Sequence, residues 1–438
     1  MKYLSAIQSA SNNPKQLEDL YQTAQRESET SEFKADLSAC YAALPENVLF
    51  AAWYYRLQNI PQESQQKAGK NINWKLAVPL AALSGLSLWA LSDTRLEFVN
   101  HIPWLFLLWA PIATLFALCF LALTSKTNLR RFLWAGALLG IACLYVLLLA
   151  RGQASEFQGR YLELMLIHLP LLAWIGIGLS LLGWRSTPDE RFAFLIKSIE
   201  VMITAGLYLI AGVAFGGITM GMFTALSVIL PDVITRLIVA GGFGLIPVIA
   251  VASVYDPLVS PISQDFSQGL SKFIATMMRL LLPLTLVILV IYLFVIPFNF
   301  MEPFVNRDVL IVYNLMLFAI LGLLIGATPI CPEDVSAKVQ NALRNGILAV
   351  AILAVLISLY ALSAVVYRTV DGGITINRLT IIGWNSINIA ILILLIVKQF
   401  KSGRQAWVES LRSAFSLGTN AYMFWAIFLT IAVPLLFR

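Results

Sequence analysis

The hydrophobic and polar positions of the chain follow two different patterns, which meet near residue 73. Before that point, apolar residues recur every three or four positions between polar ones, as in short amphipathic helices. After it, apolar runs of about twenty residues follow one another, which is the length an α-helix needs to cross ~30 Å of hydrocarbon. The pattern predicts an all-α, polytopic transmembrane helix bundle with a small N-terminal cytoplasmic helical domain.

The predicted domains are 1–73, a three-helix domain with its linker, and 74–438, the transmembrane domain. We expect the first three helices to begin at Asn13-Pro14, at Thr30 or Ser31, and at Pro45, because these residues favour the first positions of helices. Two amphipathic segments are predicted to lie along the membrane surface, at 404–417 and 263–276. The eleven predicted spans are 75–92, 103–124, 132–150, 161–184, 201–226, 233–253, 277–297, 309–328, 346–366, 381–398 and 420–437.

Charge supports this assignment and gives it an orientation. Only 12% of residues are charged, about half the share of a soluble protein. Of the 30 Lys and Arg residues, 22 fall in segments that lie on the same side of the predicted bundle as the N-terminus. Basic residues concentrate in the cytoplasmic loops of membrane proteins. We therefore expect a multi-pass protein of the plasma (inner) membrane, with a cytoplasmic N-terminus and an extracytoplasmic C-terminus. The lipid bilayer is its expected partner, and nucleic acid is not.

Few residues in the sequence could carry catalytic or metal chemistry. The chain has two histidines, His101 and His168; they do not form an HExxH zinc motif, and a stacked pair of bis-histidine haems would need four. The four cysteines are scattered with no CxxC, and they are predicted to be small core residues. We predict no catalytic residue, no cofactor and no metal site, and the protein is not expected to be an enzyme.

Two glycine-rich stretches allow two interpretations. Glycine weakens a helix unless it permits close approach, so the stretches are expected to pack the fifth span tightly against the sixth. The alternative is a pair of broken helices whose freed backbone groups line an ion path. The residues concerned are Gly212, Gly216, Gly217 and Gly221 in one stretch, and Gly241, Gly242, Gly244 and Pro247 in the other.

Two groups of polar residues are candidate sites. Lys197 and Glu200 lie three apart at the start of the fifth span, so they share a helix face and are predicted to pair. His168 is expected to be a hydrogen-bonded core residue. The densest polar cluster joins the ninth and tenth spans and is predicted to form one outward-facing pocket, with Arg378 facing an anion. The pocket residues are Tyr360, Ser363, Tyr367, Arg368, Arg378, Asn385 and Asn388.

The same region resembles a known family. The run Gly373-Ile-Thr-Ile-Asn377-Arg378 before Trp384 is similar to bacterial membrane proteins of domain-of-unknown-function family 4153, as are Ser358-Leu-Tyr360 and Tyr367-Arg368. The stretch from Arg279 to Tyr292 is similar as well. The resemblance covers roughly residues 190–400. It implies a bacterial membrane location and an uncharacterised family, and it carries no activity with it.

Two functions remain open at this point. A transporter or permease-like protein with an outward-facing polar pocket explains the many spans and the polar groups within them. The alternative is a membrane-embedded scaffold, sensor or assembly subunit. That function would use a protein partner at the N-terminal domain, where Phe50, Trp53, Tyr54 and Tyr55 exceed what a small core needs. A polar cavity at mid-membrane depth would favour transport, and an exposed aromatic patch would favour a scaffold.

Overall fold

A computed structural model of the protein describes residues 3–26, 29–58, 72–97, 102–125, 129–150, 156–266, 269–403 and 406–437. The chain divides into two compact units, Met1–Asn71 and Ile72–Arg438. Most of the linker proposed between the predicted domains, His101, and the first two residues of the predicted 404–417 helix lie outside the described residues.

The described part of the first unit holds four helices instead of the three predicted. They are α1 (Leu4–Ser9), α2 (Pro14–Arg26), α3 (Thr30–Ala43) and α4 (Val48–Gln58). The sequence analysis missed α1, which is too short to show a periodic pattern. The predicted start of α2 is confirmed, since Asn13 Oδ1 accepts from the Gln16 amide at 3.2 Å. Helix α4 begins at Val48 and not at Pro45, because the Asn47 side chain accepts from the amides of Leu49 and Phe50.

Aromatic side chains fill the core of the first unit. Phe33 and Phe50 are fully buried, and Phe33 contacts the rings of Tyr3, Tyr21 and Trp53 at centroid distances of 5.5–6.4 Å. Two of the four aromatic residues predicted to be surplus, Phe50 and Trp53, are therefore core residues.

Among the described residues of the second unit, eleven helices are long and apolar enough to cross a membrane, which confirms the polytopic all-α fold. Two helices of four residues, α12 (Glu302–Val305) and α17 (Val433–Leu436), lie between or after them. The eleven are α5 (Trp74–Leu91), α6 (Trp104–Thr124), α7 (Leu129–Ala150), α8 (Glu156–Leu182), α9 (Pro188–Ala225), α10 (Asp232–Val254), α11 (Gly269–Val295), α13 (Arg307–Ala327), α14 (Ala337–Gly372), α15 (Ile376–Lys401) and α16 (Trp407–Ile431).

The spans form two groups. One contains α5, α6, α7, α8 and α10, and the other contains α11, α13, α14, α15 and α16. Helix α9 joins them, because it packs on α10 in the first group and on α16 in the second, while α8 also contacts α16. The site described below lies where α8 meets the second group.

Local sequence sets the starts of two long helices. Thr187 and Glu190 form a capping box at the start of α9, with Pro188 as its first residue. This helix has 38 residues, so it is about 57 Å long at 1.5 Å per residue. Thr375 caps α15 as predicted, since its hydroxyl accepts from the Arg378 amide. Gly373, with φ of 75°, makes the turn before it.

The predicted surface helix at 404–417 does not form, and its described part begins the last span. Helix α16 runs without a break from Trp407 to Ile431. Leu411 and Phe415 lie on the apolar face of this segment, which a surface helix would turn toward lipid, but they are 0% and 3% exposed in the core of the bundle. Arg412, on the opposite face, pairs with Asp189 of α9 at 3.0 Å. The amphipathic pattern was correct, but its apolar face packs on protein and not on lipid.

The predicted surface segment at 263–276 is also wrong. A 3₁₀ turn covers Pro261–Ser263, residues 264–266 are not helical, and α11 covers Gly269–Val295 and so continues into the span. Its first turns carry Ser271, whose hydroxyl reaches a buried ion pair on α9. This polar contact within the protein fixes the start of the helix.

The glycines fit the predicted packing of the fifth span on the sixth only in part: α9 packs on α10, and a Cβ at Gly216 would lie 3.8 Å from the Ile238 side chain. Helix α9 is unbroken, and a Cβ added at Gly212, Gly217 or Gly221 would meet nothing within 4 Å. The glycines of α10 do permit close approach, but to α5. A Cβ at Gly244 would lie 2.7 Å from the Cα of Gly85, and one at Gly85 would lie 2.5 Å from the Gly241 carbonyl oxygen. A π-helical stretch, Leu237–Gly241, precedes this contact.

We expect Gly244→Ala to destabilise the protein, because neither helix backbone can yield to the added methyl group; overpacking of this kind costs about 1–3 kcal/mol. Gly212→Ala is the matched control. It adds the same methyl group to a helix interior with open space around it, where alanine is favoured over glycine by roughly 0.5–1 kcal/mol. In detergent, the melting temperature of purified Gly244→Ala should fall below that of the wild type. That of Gly212→Ala should equal or exceed it. Equal melting temperatures would contradict the α5–α10 contact.

Candidate functional site

Four polar or aromatic residues from three spans meet near the middle of the membrane domain. We call them the mid-span cluster: His168 on α8, Trp384 and Asn388 on α15, and Tyr422 on α16. His168 and Asn388 are each in the middle of their helix, and they are 2% and 0% exposed. Sites at this depth are typical of membrane transporters.

The hydrogen bonds of His168 define its protonation form. Its Nδ1 lies 2.7 Å from the Leu164 carbonyl oxygen, which can only accept, so Nδ1 carries a proton and donates. Its Nε2 accepts from the indole N–H of Trp384 at 3.2 Å, so this nitrogen carries none. The histidine is neutral with both nitrogens in use, which confirms it as a hydrogen-bonded core residue.

Asn388 uses only one end of its carboxamide. The Tyr422 hydroxyl donates to Asn388 Oδ1 at 2.6 Å, a distance typical of O–H···O bonds and short for N–H···O bonds. The Nδ2 group is buried without a hydrogen-bond partner. Nearby on the same two helices, Thr380 Oγ1 and Trp425 Nε1 are buried without partners too. Unpaired buried polar groups are costly, so each calls for an explanation.

Aromatic rings and glycines hold this arrangement in place. The rings of Trp384 and Tyr422 are 5.4 Å apart, and Phe318 of α13 contacts both, at 5.7 and 6.5 Å. The Trp425 ring lies so close to Gly383 that no Cβ would fit there, and Gly418 admits the Ile391 side chain in the same way. These contacts set α16 tightly against α15 and so bring Tyr422 to Asn388.

The seven residues predicted to form one outward-facing pocket are divided among three places. Tyr360 donates to the Phe300 carbonyl at 2.7 Å and packs on the Phe300 ring, and Ser363 donates back to Tyr360 within α14. Tyr367 is 56% exposed and contacts only the ring of Phe304 among the described contacts. This first group therefore faces the segment before α13 and not α15.

The two arginines form a second place and the two asparagines a third. Arg378 donates to the Gly373 carbonyl at 2.6 Å and closes the turn between α14 and α15, while Arg368 has a buried NH1 without a partner. Asn385, 3% exposed, lies one turn before Asn388, which bonds toward α16. The structure therefore does not bring the seven residues together in the single pocket that was predicted. Sequence spacing placed the residues at one end of two neighbouring helices, but it did not define which faces met.

Lys197 and Glu200 form the predicted pair, and they are more deeply enclosed than expected. Their Nζ and Oε2 atoms are 2.8 Å apart, with side chains 5% and 7% exposed. Lys197 also donates to the Asp265 carbonyl at 2.7 Å, and Ser271 donates to Glu200 Oε1 at 2.7 Å. The ammonium lies 4.7 Å from the centre of the Phe266 ring. The pair therefore ties α9 to the start of α11 and to the segment before it.

The cysteines match their prediction only in part. Cys40 is buried in the first unit, where burial and then the nearby Asp36 carboxylate raise the pKa of its thiol. Cys143 is half-buried, and Cys119 and Cys331 are exposed, so these last two are not core residues. Within the described residues, no group of three or more His, Cys, Asp or Glu side chains could hold a metal ion.

Sequence reasoning found Asn388 but missed its partner. Tyr422 lies 34 positions further along the chain, in a span that the sequence analysis began at residue 420. Trp384 was noted only as part of a polar segment, and its bond to His168 crosses 216 positions. The one available signal was depth, because His168 and Asn388 both fall in the middle of apolar runs.

We expect Glu200→Gln to lower the melting temperature substantially, because it leaves the Lys197 ammonium buried without a counter-charge. Breaking a buried ion pair costs about 3–5 kcal/mol. Glu163→Gln is the control, since Glu163 is exposed on α8 and the same substitution there should have little effect. Replacing both partners, as Lys197→Met with Glu200→Leu, should cost less than Glu200→Gln alone. If Glu200→Gln melts like the wild type, the pair is not a structural tie.

Comparisons with protein-family models, curated proteins and solved structures find no match to this chain. The similarity to domain-of-unknown-function family 4153 therefore stays a prediction, and the site has to be interpreted from its own geometry.

Proposed function

We propose that the membrane domain is a transporter with its substrate site at the mid-span cluster. The observation that carries this proposal is the amide of Asn388, which is fully buried in the middle of α15 with its Nδ2 group unpaired. A carboxamide cannot reach the membrane surface as a lysine does, and an unsatisfied polar group in hydrocarbon costs several kcal/mol. A residue of this kind is best explained by a ligand that completes its hydrogen bonds.

Polar contacts along α16 support a route to this site from one end of the bundle. Arg191, in the first turn of α9, donates to Asn420 Oδ1 at 3.1 Å and to Ser186 at 2.9 Å. Asn420 is two residues before Tyr422, about 3 Å away along the axis of α16 but on another face of the helix, so these polar groups reach from the end of the bundle to nearly the depth of Asn388. We place this end on the cytoplasmic side of the plasma membrane, because the basic residues of the chain concentrate there. The proposal gives the protein no catalytic role.

A second function, a membrane-embedded scaffold or assembly subunit, is favoured by the surface of the first unit. Val48 is 81% exposed, Tyr55 55% and Leu44 50%. The rings of Tyr41 and Tyr54 stack at a centroid distance of 4.6 Å, and Tyr55 meets both rings edge-on at 6.1 and 5.5 Å. Exposed apolar side chains beside stacked tyrosines are suited to a protein partner. Such a partner is compatible with transport by the second unit.

Transport predicts that position 388 meets water from both sides of the membrane. We expect the Asn388→Cys variant, with the four native cysteines replaced, to react with a membrane-impermeant methanethiosulfonate applied to either face of sealed vesicles. The reason is that a carrier exposes its mid-depth site alternately to the two sides. Labelling is measured by the mass of the purified protein. Single cysteines at Ser125 and Gly372 identify the two faces. Each should react from one side of the vesicle only, and the two should react from opposite sides.

Leu392→Cys is the matched control for this experiment. Leu392 is one turn after Asn388 on the same helix and is also 0% exposed, but it belongs to the apolar core. It should remain unlabelled from both sides. Labelling of the Asn388→Cys variant from one side only, or from neither, would contradict transport and leave the scaffold function as the better account.

A further inference from the structure

The unused hydrogen-bonding capacity of the mid-span cluster determines what it can bind. His168 uses both ring nitrogens, Trp384 donates its only N–H to His168, and Tyr422 donates its hydroxyl proton to Asn388. The two N–H bonds of Asn388 Nδ2 are therefore the only unused donors of the four residues. A ligand that completes this site must present a hydrogen-bond acceptor.

The surroundings of the cluster exclude a charged ligand. Among the described contacts of its four residues, every hydrogen-bond and ring partner is a backbone carbonyl or an uncharged side chain. A charge brought to the middle of a bilayer without a counter-charge costs several kcal/mol at least. Arg378, which was predicted to face an anion, lies at the turn before α15, and Arg368 lies near the end of α14. The acceptor must therefore belong to a neutral molecule.

Flat aromatic surfaces beside the donor favour a planar ligand. The rings of Phe318, Trp384 and Tyr422 lie mutually tilted, within 5.4–6.5 Å of one another. Trp384 and Tyr422 are half-buried and Phe318 is 40% exposed, so ring faces and edges remain available for offset or edge-to-face contacts. Asn388 lies in the same cluster, bonded to Tyr422, where its amide can meet the polar edge of a stacked ring.

Two routes to this site differ in the solvent they start from. Phe318 belongs to an exposed face of α13 together with Leu315, which is 70% exposed; in a membrane this face meets lipid. The Arg191–Asn420 contact marks the other route, from the water at the end of the bundle. A neutral planar ligand could come from the bilayer or from water, and its recognition at Asn388 would be the same.

We propose that the mid-span cluster binds a neutral, planar ring compound bearing a carbonyl group, with Asn388 Nδ2 donating to that carbonyl. The Phe318, Trp384 and Tyr422 rings contact the faces and edges of the bound ring. Naming this compound as a transported substrate rests on the proposed function, whereas its binding does not.

The test uses the full-length protein purified in detergent and two probes with the same chemistry. Benzamide is a water-soluble planar ring with a carbonyl, and menadione is a bilayer-soluble one. Toluene and 2-methylnaphthalene are the matched compounds without the carbonyl or any other hydrogen-bond acceptor. We expect at least one probe to raise the melting temperature in a saturable way, which gives an apparent Kd, and its carbonyl-free counterpart to have no such effect. Binding of benzamide alone identifies water as the source, and binding of menadione alone identifies the bilayer.

Variants connect the binding to Asn388. Asn388→Leu keeps the branching at Cγ and removes the donor, and Asn388→Ala provides a smaller side chain if leucine does not fit. Both should weaken binding about tenfold, the loss of roughly one hydrogen bond. Ser363→Ala removes a hydroxyl group outside the cluster and should leave the apparent Kd unchanged.

Three results would overturn the proposal: no saturable shift with either probe, equal binding of the carbonyl-free compounds, or unchanged affinity in both Asn388 variants. These results are separate from the test of transport. If neither probe binds while the Asn388→Cys variant is labelled from both sides, the ligand class is wrong and transport stands. If a probe binds through Asn388 while that variant is not labelled from both sides, the site is a fixed binding site and transport is wrong.

Discussion

Hydrocarbon offers no hydrogen-bond partner, and this constraint explains most of the polar contacts in the membrane domain. Lys197 is surrounded by a carboxylate, a carbonyl and a hydroxyl oxygen. His168 uses both nitrogens, and Arg412 reaches Asp189 and the Ile330 carbonyl. Three of these contacts, Lys197 with Ser271, His168 with Trp384 and Arg412 with Asp189, join different helices, so satisfying a polar group also fixes how the spans pack. The Nδ2 group of Asn388, like Thr380 Oγ1 and Trp425 Nε1, is an exception, and its side chain is fully buried in the middle of α15.

The packing that creates the mid-span cluster depends on the way α16 inserts. Its first turns are held at the bundle end by Arg412–Asp189 and by Gln399, which donates to the Trp407 carbonyl at 2.6 Å. Glycines then let α16 approach α15 closely, as Gly418 does at the Ile391 side chain. A helix that lay along the surface up to residue 417 would not reach Asn388 at this depth. The position of Tyr422 is thus a consequence of polar contacts made some three turns earlier.

How far each feature could be predicted from the sequence depends on the physical cause of the pattern that indicated it. Span number was predictable because about twenty apolar residues in a row have one stable solution in a membrane. The fate of the segment at 404–417 was not predictable, because an apolar stripe has the same period whether it meets lipid or protein. Leu411 was expected to meet lipid, and it packs on protein. The Lys197–Glu200 pair could be predicted from local spacing, whereas the pocket required knowing which face of α15 meets which neighbour. Asn388 was identified by type and depth, but Tyr422 and His168 come from distant segments that only the fold brings together.

The central claim is that Asn388 is present for a ligand and not for the stability of the fold. The most direct measurement is the melting temperature, without any ligand, of a double variant with Asn388→Leu and Tyr422→Phe. Replacing both partners of a buried hydrogen bond by apolar groups of similar shape is nearly neutral, and it also removes an unsatisfied donor that costs about 1–3 kcal/mol. The account predicts a melting temperature equal to or above that of the wild type. A melting temperature lower by several degrees would show that the amide supports the fold, and it would contradict the claim.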